Sequence, residues 1–145
     1  MQLTRYTDYG LRVLLYLACT EEDVTVAEIA QQYGVSRNHL VKIVHRLSQL
    51  GHIQTSRGRS GGMHLAHPPQ SIRLGDVIRD LETNRTIVEC FNPATNTCPI
   101  APACALKGVL VEAEAAFQNV LDNYTIADLI TNRDQVAALL LPNKI

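Results

Sequence analysis

Two short amphipathic helices separated by a glycine turn constrain this fold more than any other feature. Thr25-Val-Ala-Glu28 has the pattern of a capping box, in which the first and fourth side chains each bind the other residue's backbone N–H. The helix that it opens, Val26–Tyr33, ends at Gly34. Ser36 can then cap a second amphipathic helix, which runs up to Gly51. The sequence therefore predicts a helix-turn-helix.

A hairpin rich in glycine and arginine follows the second helix. Two strand-like segments, His52–Ser56 and Met63–Ala66, flank Arg57-Gly-Arg-Ser-Gly-Gly62. Glycine adopts the positive φ angles that tight hairpin loops require, so this segment is well suited to a sharp reversal of the chain. A hairpin of this kind after a helix-turn-helix is typical of a winged helix.

Helical patterns continue on both sides of this unit. Apolar residues at helical spacing predict helices over Asp8–Cys19, Leu74–Leu81 and Ala103–Tyr124. The last of these would span roughly 30 Å at ~1.5 Å per residue, longer than a small core needs. Thr125-Ile-Ala-Asp128 has the pattern to cap a final short helix. We divide the chain into a winged-helix unit (1–82), a cysteine-containing loop (83–104) and the C-terminal helices (105–145).

The charge of the chain is unevenly distributed. The 145 residues carry a net charge of only -1, yet the window from Ile29 to Gly75 contains six Lys or Arg, all five histidines and no Asp or Glu. A basic block in an otherwise neutral chain is typical of a surface that binds a polyanion, and the simpler alternative is a solvated basic face. Together with the helix-turn-helix and the hairpin, the block predicts binding to double-stranded DNA.

The second helix of the helix-turn-helix is the expected reader of base edges. Its first turns and the hairpin loop contain side chains that can reach bases or phosphates: Ser36, Arg37, Asn38, His39, Lys42, Arg57, Arg59, Ser60 and Gly61. Arg can form bidentate hydrogen bonds with guanine, and Asn can do so with adenine. The loop arginines suit a narrow minor groove. Arg46 and Arg73 could add backbone contacts. We expect the histidines to be surface or phosphate-proximal residues rather than metal ligands.

Three cysteines form a second group of candidate functional residues. Cys90, Cys98 and Cys104 lie at the spacing Cys-x7-Cys-x5-Cys, within or just after a stretch (83–102) that has no periodic pattern. Thiolates are the ligands that iron–sulfur clusters and zinc require, and the absence of CxxC pairs counts against structural zinc. The spacing alone leaves open a metal site or a redox-active thiol loop. Cys19 is expected to be a small buried hydrophobic residue.

The expected compartment supports metal or redox chemistry over structural disulfides. The N-terminus lacks a signal-peptide pattern, and no apolar run approaches the ~20 residues of a membrane span. We therefore expect a cytoplasmic protein without membrane association, in which cysteines stay reduced. No phosphate-binding glycine loop or acid–base pair points to an enzyme.

Several motifs together resemble a known family. These are the opening Met1-Gln-Leu-Thr with Thr-Asp-Tyr-Gly10, Tyr33-Gly-Val-Ser-Arg-Asn-His39, Cys98-Pro-Ile-Ala-Pro-Ala-Cys104 and the segment Leu121–Leu129. They are similar to the corresponding segments of winged-helix regulators, a family that includes nitric-oxide-sensing iron–sulfur repressors and the regulator IscR. The resemblance extends over nearly the whole chain.

The resemblance implies a fold and a mechanism. The fold is mainly α, a winged helix-turn-helix DNA-binding domain with a long C-terminal dimerisation helix. It implies a homodimeric repressor of a palindromic operator, whose iron–sulfur cluster, [4Fe–4S] or alternatively [2Fe–2S], reacts with nitric oxide and releases the DNA.

The resemblance also implies a ligand set. The three cysteines and Asp8 of the partner subunit would hold the cluster, whereas Asp8 could instead be a helix N-cap. Arg12, one turn further on, could pair with Asp8 or be solvated. Lys107 stands where members similar to IscR have a histidine ligand. Two alternatives remain: a cluster-free thiol-redox regulator and an iron–sulfur electron carrier.

Overall fold

The computed structural model describes residues 2–56, 61–83 and 86–141. Six helices and two short strands follow one another in chain order: α1 (Arg5–Ala18), α2 (Val26–Tyr33), α3 (Arg37–Gln49), β1 (Ile53–Thr55), β2 (Met63–Leu65), α4 (Leu74–Leu81), α5 (Ala105–Asp122) and α6 (Arg133–Leu140). Single 3-10 turns occupy Pro69–Ser71, Glu89–Phe91, Ala101–Ala103 and Ala127–Ile130. None of the described helices has the length and hydropathy needed to cross a bilayer.

Local capping signals define the helix-turn-helix as predicted. The Thr25–Glu28 capping box is complete, with both reciprocal hydrogen bonds present. Gly34 ends α2 at φ 63° and Gly51 follows α3 at φ 78°, the left-handed region in which a Cβ is unfavourable. Ser36 occupies the N-cap position of α3, although its side chain makes no capping hydrogen bond.

The core lies between α1, α3 and the hairpin. β1 and β2 pair antiparallel, and Met63 also pairs with Val24 in an isolated bridge. The predicted apolar stripe of α3 is buried, except that Leu50 is partly exposed. The largest fully buried apolar side chains come from every part of the winged-helix unit and from the C-terminal segment: Leu14, Ile29, Leu40, Ile43, Leu47, Ile53, Met63 and Ile126. The winged-helix prediction is confirmed.

The predicted start of α1 was wrong by three residues. The helix begins at Arg5 rather than Asp8, because the Thr4 hydroxyl caps it by accepting a hydrogen bond from the Thr7 N–H at 3.3 Å. The predicted range omitted the first turn, in which apolar periodicity is weak and the cap alone marks the boundary.

The C-terminal half also differs from the sequence-based expectation. The described part of residues 83–103 contains the 3-10 turns Glu89–Phe91 and Ala101–Ala103. The second turn places Cys104 at the N-cap of α5, not within its first turn as predicted. Thr125 and Asp128 form the predicted reciprocal hydrogen bonds, but these open the 3-10 turn Ala127–Ile130 rather than a final α-helix. The last helix, α6, starts five residues after Asp128.

Helix α5 packs mainly on α4 and leaves several large apolar side chains exposed. At its C-terminal end Asp122 forms an ion pair with Arg79 of α4, in which Oδ1 lies 2.7 Å from Nη1. Along the whole length of α5, all of it described, no residue is buried. Its exposed apolar side chains are Leu106, Val109, Val111 and Val120.

Candidate DNA interface and cysteine site

Helix α3 presents a polar face away from the core. Leu40, Ile43 and Leu47 are almost fully buried on one side. The five side chains predicted to contact DNA from this helix are all exposed: Ser36, Arg37, Asn38, His39 and Lys42. Because α3 carries only basic and neutral side chains, this surface suits the phosphate backbone and base edges of DNA.

The hairpin loop lies mostly outside the described residues. Arg57, Arg59 and Ser60, all predicted to contact DNA, belong to the undescribed segment 57–60, whereas Gly61 is described and exposed. The strands that flank this loop follow α3 directly. The predicted DNA contacts of the loop therefore stay predictions.

The first turns of α1 adjoin α3, a proximity that the sequence did not reveal. Arg5, Tyr6 and Tyr9 line a groove of about 240 Å³ together with His39 and Lys42. The Tyr6 hydroxyl donates to the Lys42 carbonyl oxygen at 3.4 Å. Arg5 was absent from the predicted interface because residues more than thirty positions apart share no local pattern, yet it extends the basic surface of α3.

Two histidines of the basic window have carboxylate partners. His52 Nε2 lies 2.8 Å from Asp80 Oδ2, and His64 Nδ1 lies 2.8 Å from Asp23 Oδ1. The expectation that the histidines are surface or phosphate-proximal residues was therefore wrong for His52, whose side chain is only 13% exposed. Both carboxylates come from outside the acid-free window.

The cysteine loop has local order that its sequence did not predict. The Glu89 carboxylate accepts hydrogen bonds from the backbone N–H and the hydroxyl of Thr97. Because Cys90 and Cys98 each follow one of these two residues, the contact connects the two segments that hold these cysteines. Cys98 is held further by its own N–H, which donates to the Asn96 side chain at 3.0 Å.

Cys104 is the N-cap residue of α5. Its Sγ accepts a hydrogen bond from the Lys107 N–H at 3.4 Å, so the thiol caps the helix. This contact fixes the Cys104 sulfur at the N-terminus of α5, at the end of the cysteine loop.

Asp8 is not the cap of α1. Thr4 has that role, and the Asp8 carboxylate instead pairs with Arg12 at 2.9 Å, both side chains being nearly half exposed. The Arg12 guanidinium also lies 5.7 Å from the ring centre of Tyr33, whose hydroxyl donates to the Arg12 carbonyl oxygen. Asp8 is thus an accessible carboxylate that α1 does not need for its fold.

The donor set fits an iron–sulfur cluster in chemical type but is incomplete in one protomer. All four cysteines are free, with Cys90, Cys98 and Cys104 partly exposed, whereas burial raises the pKa of Cys19, as expected for a buried hydrophobic residue. Among the described residues, no three His, Cys, Asp or Glu side chains converge as a metal site. Three free, partly exposed thiols on one loop are the type of donor that iron–sulfur clusters take.

Glu82 is a buried carboxylate that sequence analysis did not single out. It lies just after α4 and accepts hydrogen bonds from the Thr4 N–H and hydroxyl and from the Thr7 hydroxyl. Burial raises its pKa, but these hydrogen bonds outweigh the effect and hold the pKa below its usual value. Glu82 thereby joins the start of the cysteine loop to the first turn of α1.

An exposed basic helix in a helix-turn-helix, followed by a hairpin, defines the class of winged-helix DNA-binding regulators. The family model described as Rrf2, iron-dependent transcriptional regulator, matches residues 3–132, and the chain belongs to this family. The regulator NsrR of Shouchella clausii (strain KSM-K16) is 51% identical over 142 residues, covering 97% of this chain and 95% of that protein. NsrR of Bacillus subtilis (strain 168) is 47% identical over 142 residues, covering 97% of each.

Solved structures support the same assignment. A transcriptional regulator from Listeria innocua matches with a TM-score of 0.75 and 29% identity, covering 90% of this chain and 86% of that one. CymR, the global cysteine regulator of B. subtilis, matches with a TM-score of 0.72 and 27% identity, covering 91% of this chain and 98% of that one. IscR of T. potens matches with a TM-score of 0.72 and 25% identity, covering 94% of this chain and 90% of that one. The chain is therefore a transcriptional regulator and not an enzyme.

Proposed function

We propose that this chain is a homodimeric repressor that senses nitric oxide through an iron–sulfur cluster and then releases its operator. The observation that carries the proposal is the set of three free, partly exposed thiols of the cysteine loop, together with an accessible carboxylate at Asp8. Cys90, Cys98 and Cys104 would hold the cluster with Asp8 of the partner subunit. A [4Fe–4S] cluster is our first choice and [2Fe–2S] the alternative.

A second protomer is supported by the exposed apolar face of α5. The eighteen residues of α5 include no buried side chain, so packing within the chain stabilises this helix little. A second copy could cover Leu106, Val109 and Val120, which lie on one face of α5. Twofold symmetry then presents two α3 helices to successive major grooves, ~34–36 Å apart, on a palindromic site.

The proposed DNA contacts follow from exposure and charge. Arg37 and Asn38 suit base edges, while Ser36, His39 and Lys42 suit phosphates. Arg5, beside Lys42 in the groove between α1 and α3, adds a phosphate contact. Arg57 and Arg59 of the hairpin loop would reach the minor groove, with Ser60 and Gly61 close to the backbone.

Asp8 links the cysteine site to DNA binding because it has two alternative partners. When bound, the cluster supplies iron atoms that react with nitric oxide. An exposed i, i+4 ion pair contributes only about 0.3–0.5 kcal/mol, so Asp8 leaves Arg12 at little cost. Arg12 also contacts Tyr33 at the end of α2, so a change of partner at Asp8 alters how α1 meets the helix-turn-helix. A coupling of about 1–3 kcal/mol would change operator affinity about 5- to 150-fold.

The test compares operator binding by anaerobically purified protein before and after addition of nitric oxide. The operator is a palindromic duplex enriched by the protein from a random-sequence pool. We expect nitric oxide to weaken binding at least about fivefold; an unchanged affinity would refute sensing. Iron and sulfide analysis of the same sample separates the cluster from a cluster-free thiol switch.

The ligand role of Asp8 has its own matched control. Asp8→Ala should change the visible absorption spectrum of the anaerobic protein and shorten the lifetime of the cluster in air. Asp134→Ala removes a carboxylate from the first turn of another helix, α6, and should leave both unchanged. Identical spectra and lifetimes for the two variants would remove Asp8 from the ligand set.

A further inference from the structure

The Asp23 carboxylate joins both strands of the hairpin at its base. Asp23 lies in the segment between α1 and α2, yet its Oδ2 accepts a hydrogen bond from the Ser56 hydroxyl at 2.9 Å. Its Oδ1 accepts one from His64 Nδ1 at 2.8 Å. Ser56 immediately follows β1 and His64 lies in β2, so a single side chain from the helical body connects the two sides of the hairpin.

Backbone contacts at the same point show that the connection is tight. The Ser56 N–H donates to the Gly62 carbonyl oxygen at 2.8 Å, and the Gly62 N–H donates to the Ser56 hydroxyl at 3.0 Å. A Cβ on Gly62 would lie 2.6 Å from the Asp23 Cβ, so the close approach requires glycine. Val24 pairs with Met63 through two backbone hydrogen bonds.

Asp23 brings a negative charge to the base of a hairpin that is expected to contact DNA. The sequence from Ile29 to Gly75 contains no acid, and Asp23 reaches this basic region from outside it. A carboxylate near phosphates weakens DNA binding through Coulomb repulsion. Hydrogen bonds from His64 and Ser56 lower the pKa of Asp23, so it is ionised at neutral pH. Any favourable effect of Asp23 on DNA binding must therefore come from its contacts with the hairpin and not from its charge.

We propose that Asp23 is a positioning residue for DNA binding: it fixes the base of the hairpin against the helix-turn-helix before DNA arrives. The inference rests on the proposed function, since it takes the loop arginines Arg57 and Arg59 to be DNA contacts. A hairpin that is already fixed loses less conformational entropy when it binds. Asp23 therefore strengthens binding despite its negative charge.

Three variants that each remove one negative charge test this role: Asp23→Ala, Asp23→Asn and Glu21→Ala. Glu21 lies two residues earlier and its side chain is 92% exposed. The full-length anaerobic protein is titrated onto the duplex enriched by wild type, over a range of salt concentrations. Circular dichroism and thermal unfolding verify that each variant is folded.

Repulsion and positioning predict effects of opposite sign. We expect Asp23→Ala to bind about tenfold more weakly, the cost of ordering roughly one more residue's backbone on binding. Asp23→Asn retains an acceptor oxygen and should stay within about threefold of wild type, while Glu21→Ala should bind equally or more tightly. The proposal is overturned if Asp23→Ala binds as tightly as Glu21→Ala, or if Asp23→Asn is as weak as Asp23→Ala.

A double-mutant cycle distinguishes positioning of the hairpin from general damage. In a background with Arg57→Ala and Arg59→Ala, the effect of Asp23→Ala should largely disappear, because the contacts that it supports are gone. A tenfold effect that persists there contradicts the positioning role. If the arginine variant itself binds like wild type, with the same salt dependence, the proposed contact of the loop fails and this inference fails with it.

Discussion

Replacing Glu82 by alanine is expected to lower the free energy of unfolding by about 3 kcal/mol. Glu82 is 6% exposed and Thr7 is fully buried. The carboxylate oxygen Oε2 accepts three hydrogen bonds, at 3.0 and 3.1 Å from Thr4 and at 2.7 Å from Thr7. The variant therefore loses hydrogen bonds at the N-terminus of α1, including that of the buried Thr7 hydroxyl.

The magnitude follows from how these bonds are shared. A hydrogen bond to a charged group contributes about 1.5–3 kcal/mol, but three bonds that converge on one oxygen do not add fully. The Thr7 hydroxyl also keeps a partner, the Thr4 hydroxyl at 3.1 Å. For a chain of this size, about 3 kcal/mol corresponds to a fall in Tm of roughly 6–12 °C.

The pH dependence provides a second signature. Because the folded pKa of Glu82 is lower than its usual value, its contribution to stability is fully present above the unfolded pKa, about 4.3. That contribution is lost as the pH falls through the folded pKa. The difference in stability between wild type and Glu82→Ala should therefore be constant near neutral pH and become smaller in acid.

Urea unfolding followed by circular dichroism, at one fixed protein concentration, measures this difference at neutral and acidic pH. Glu21→Ala removes a carboxylate of the same kind from an exposed position and should change stability by less than about 0.5 kcal/mol. A Glu82→Ala penalty below about 1 kcal/mol, or one that is equal at both pH values, would refute the reasoning.

Three further predictions concern separate parts of the molecule. Arg37→Ala should weaken operator binding by about 1–3 kcal/mol without changing Tm, whereas unaltered affinity would exclude a base contact. Val109→Glu should shift sedimentation toward the monomer, while Leu139→Glu, an exposed apolar residue on α6, should not; equal effects would argue against association through α5. Gly75→Ala should destabilise the fold by about 1–3 kcal/mol, because its Cβ would overlap the carboxylate at the end of α5; unchanged urea unfolding would contradict this.

Features set by neighbouring residues could be predicted from the sequence. The capping box at Thr25, the left-handed glycines Gly34 and Gly51 and the bounds of α2 and α4 depend on residues within one helical turn. These local preferences agree with the final fold, so the sequence pattern was sufficient. The start of α1 was missed because Thr4, a cap outside the apolar pattern, decides it.

Polar contacts between distant parts of the chain could not be predicted in the same way. Asp23 and His64 are 41 positions apart, and Glu82 and Thr4 are 78 apart. Nothing in the local sequence distinguishes these carboxylates from solvated ones. The three loop cysteines were recognisable by residue type, but whether their sulfurs converge depends on the fold of the loop and on a second chain.

None of the eighteen residues of α5 is buried. The stability of this helix should therefore depend on the protein concentration. Most of the stability of a helix in a protein comes from tertiary packing, and α4 packs against only part of α5. In the proposed dimer, association and the ordering of α5 become linked equilibria. Each tenfold dilution then costs the dimer about 1.4 kcal/mol of stability. The number of copies in a cell would thus determine how long each regulator survives as well as how many operators are occupied.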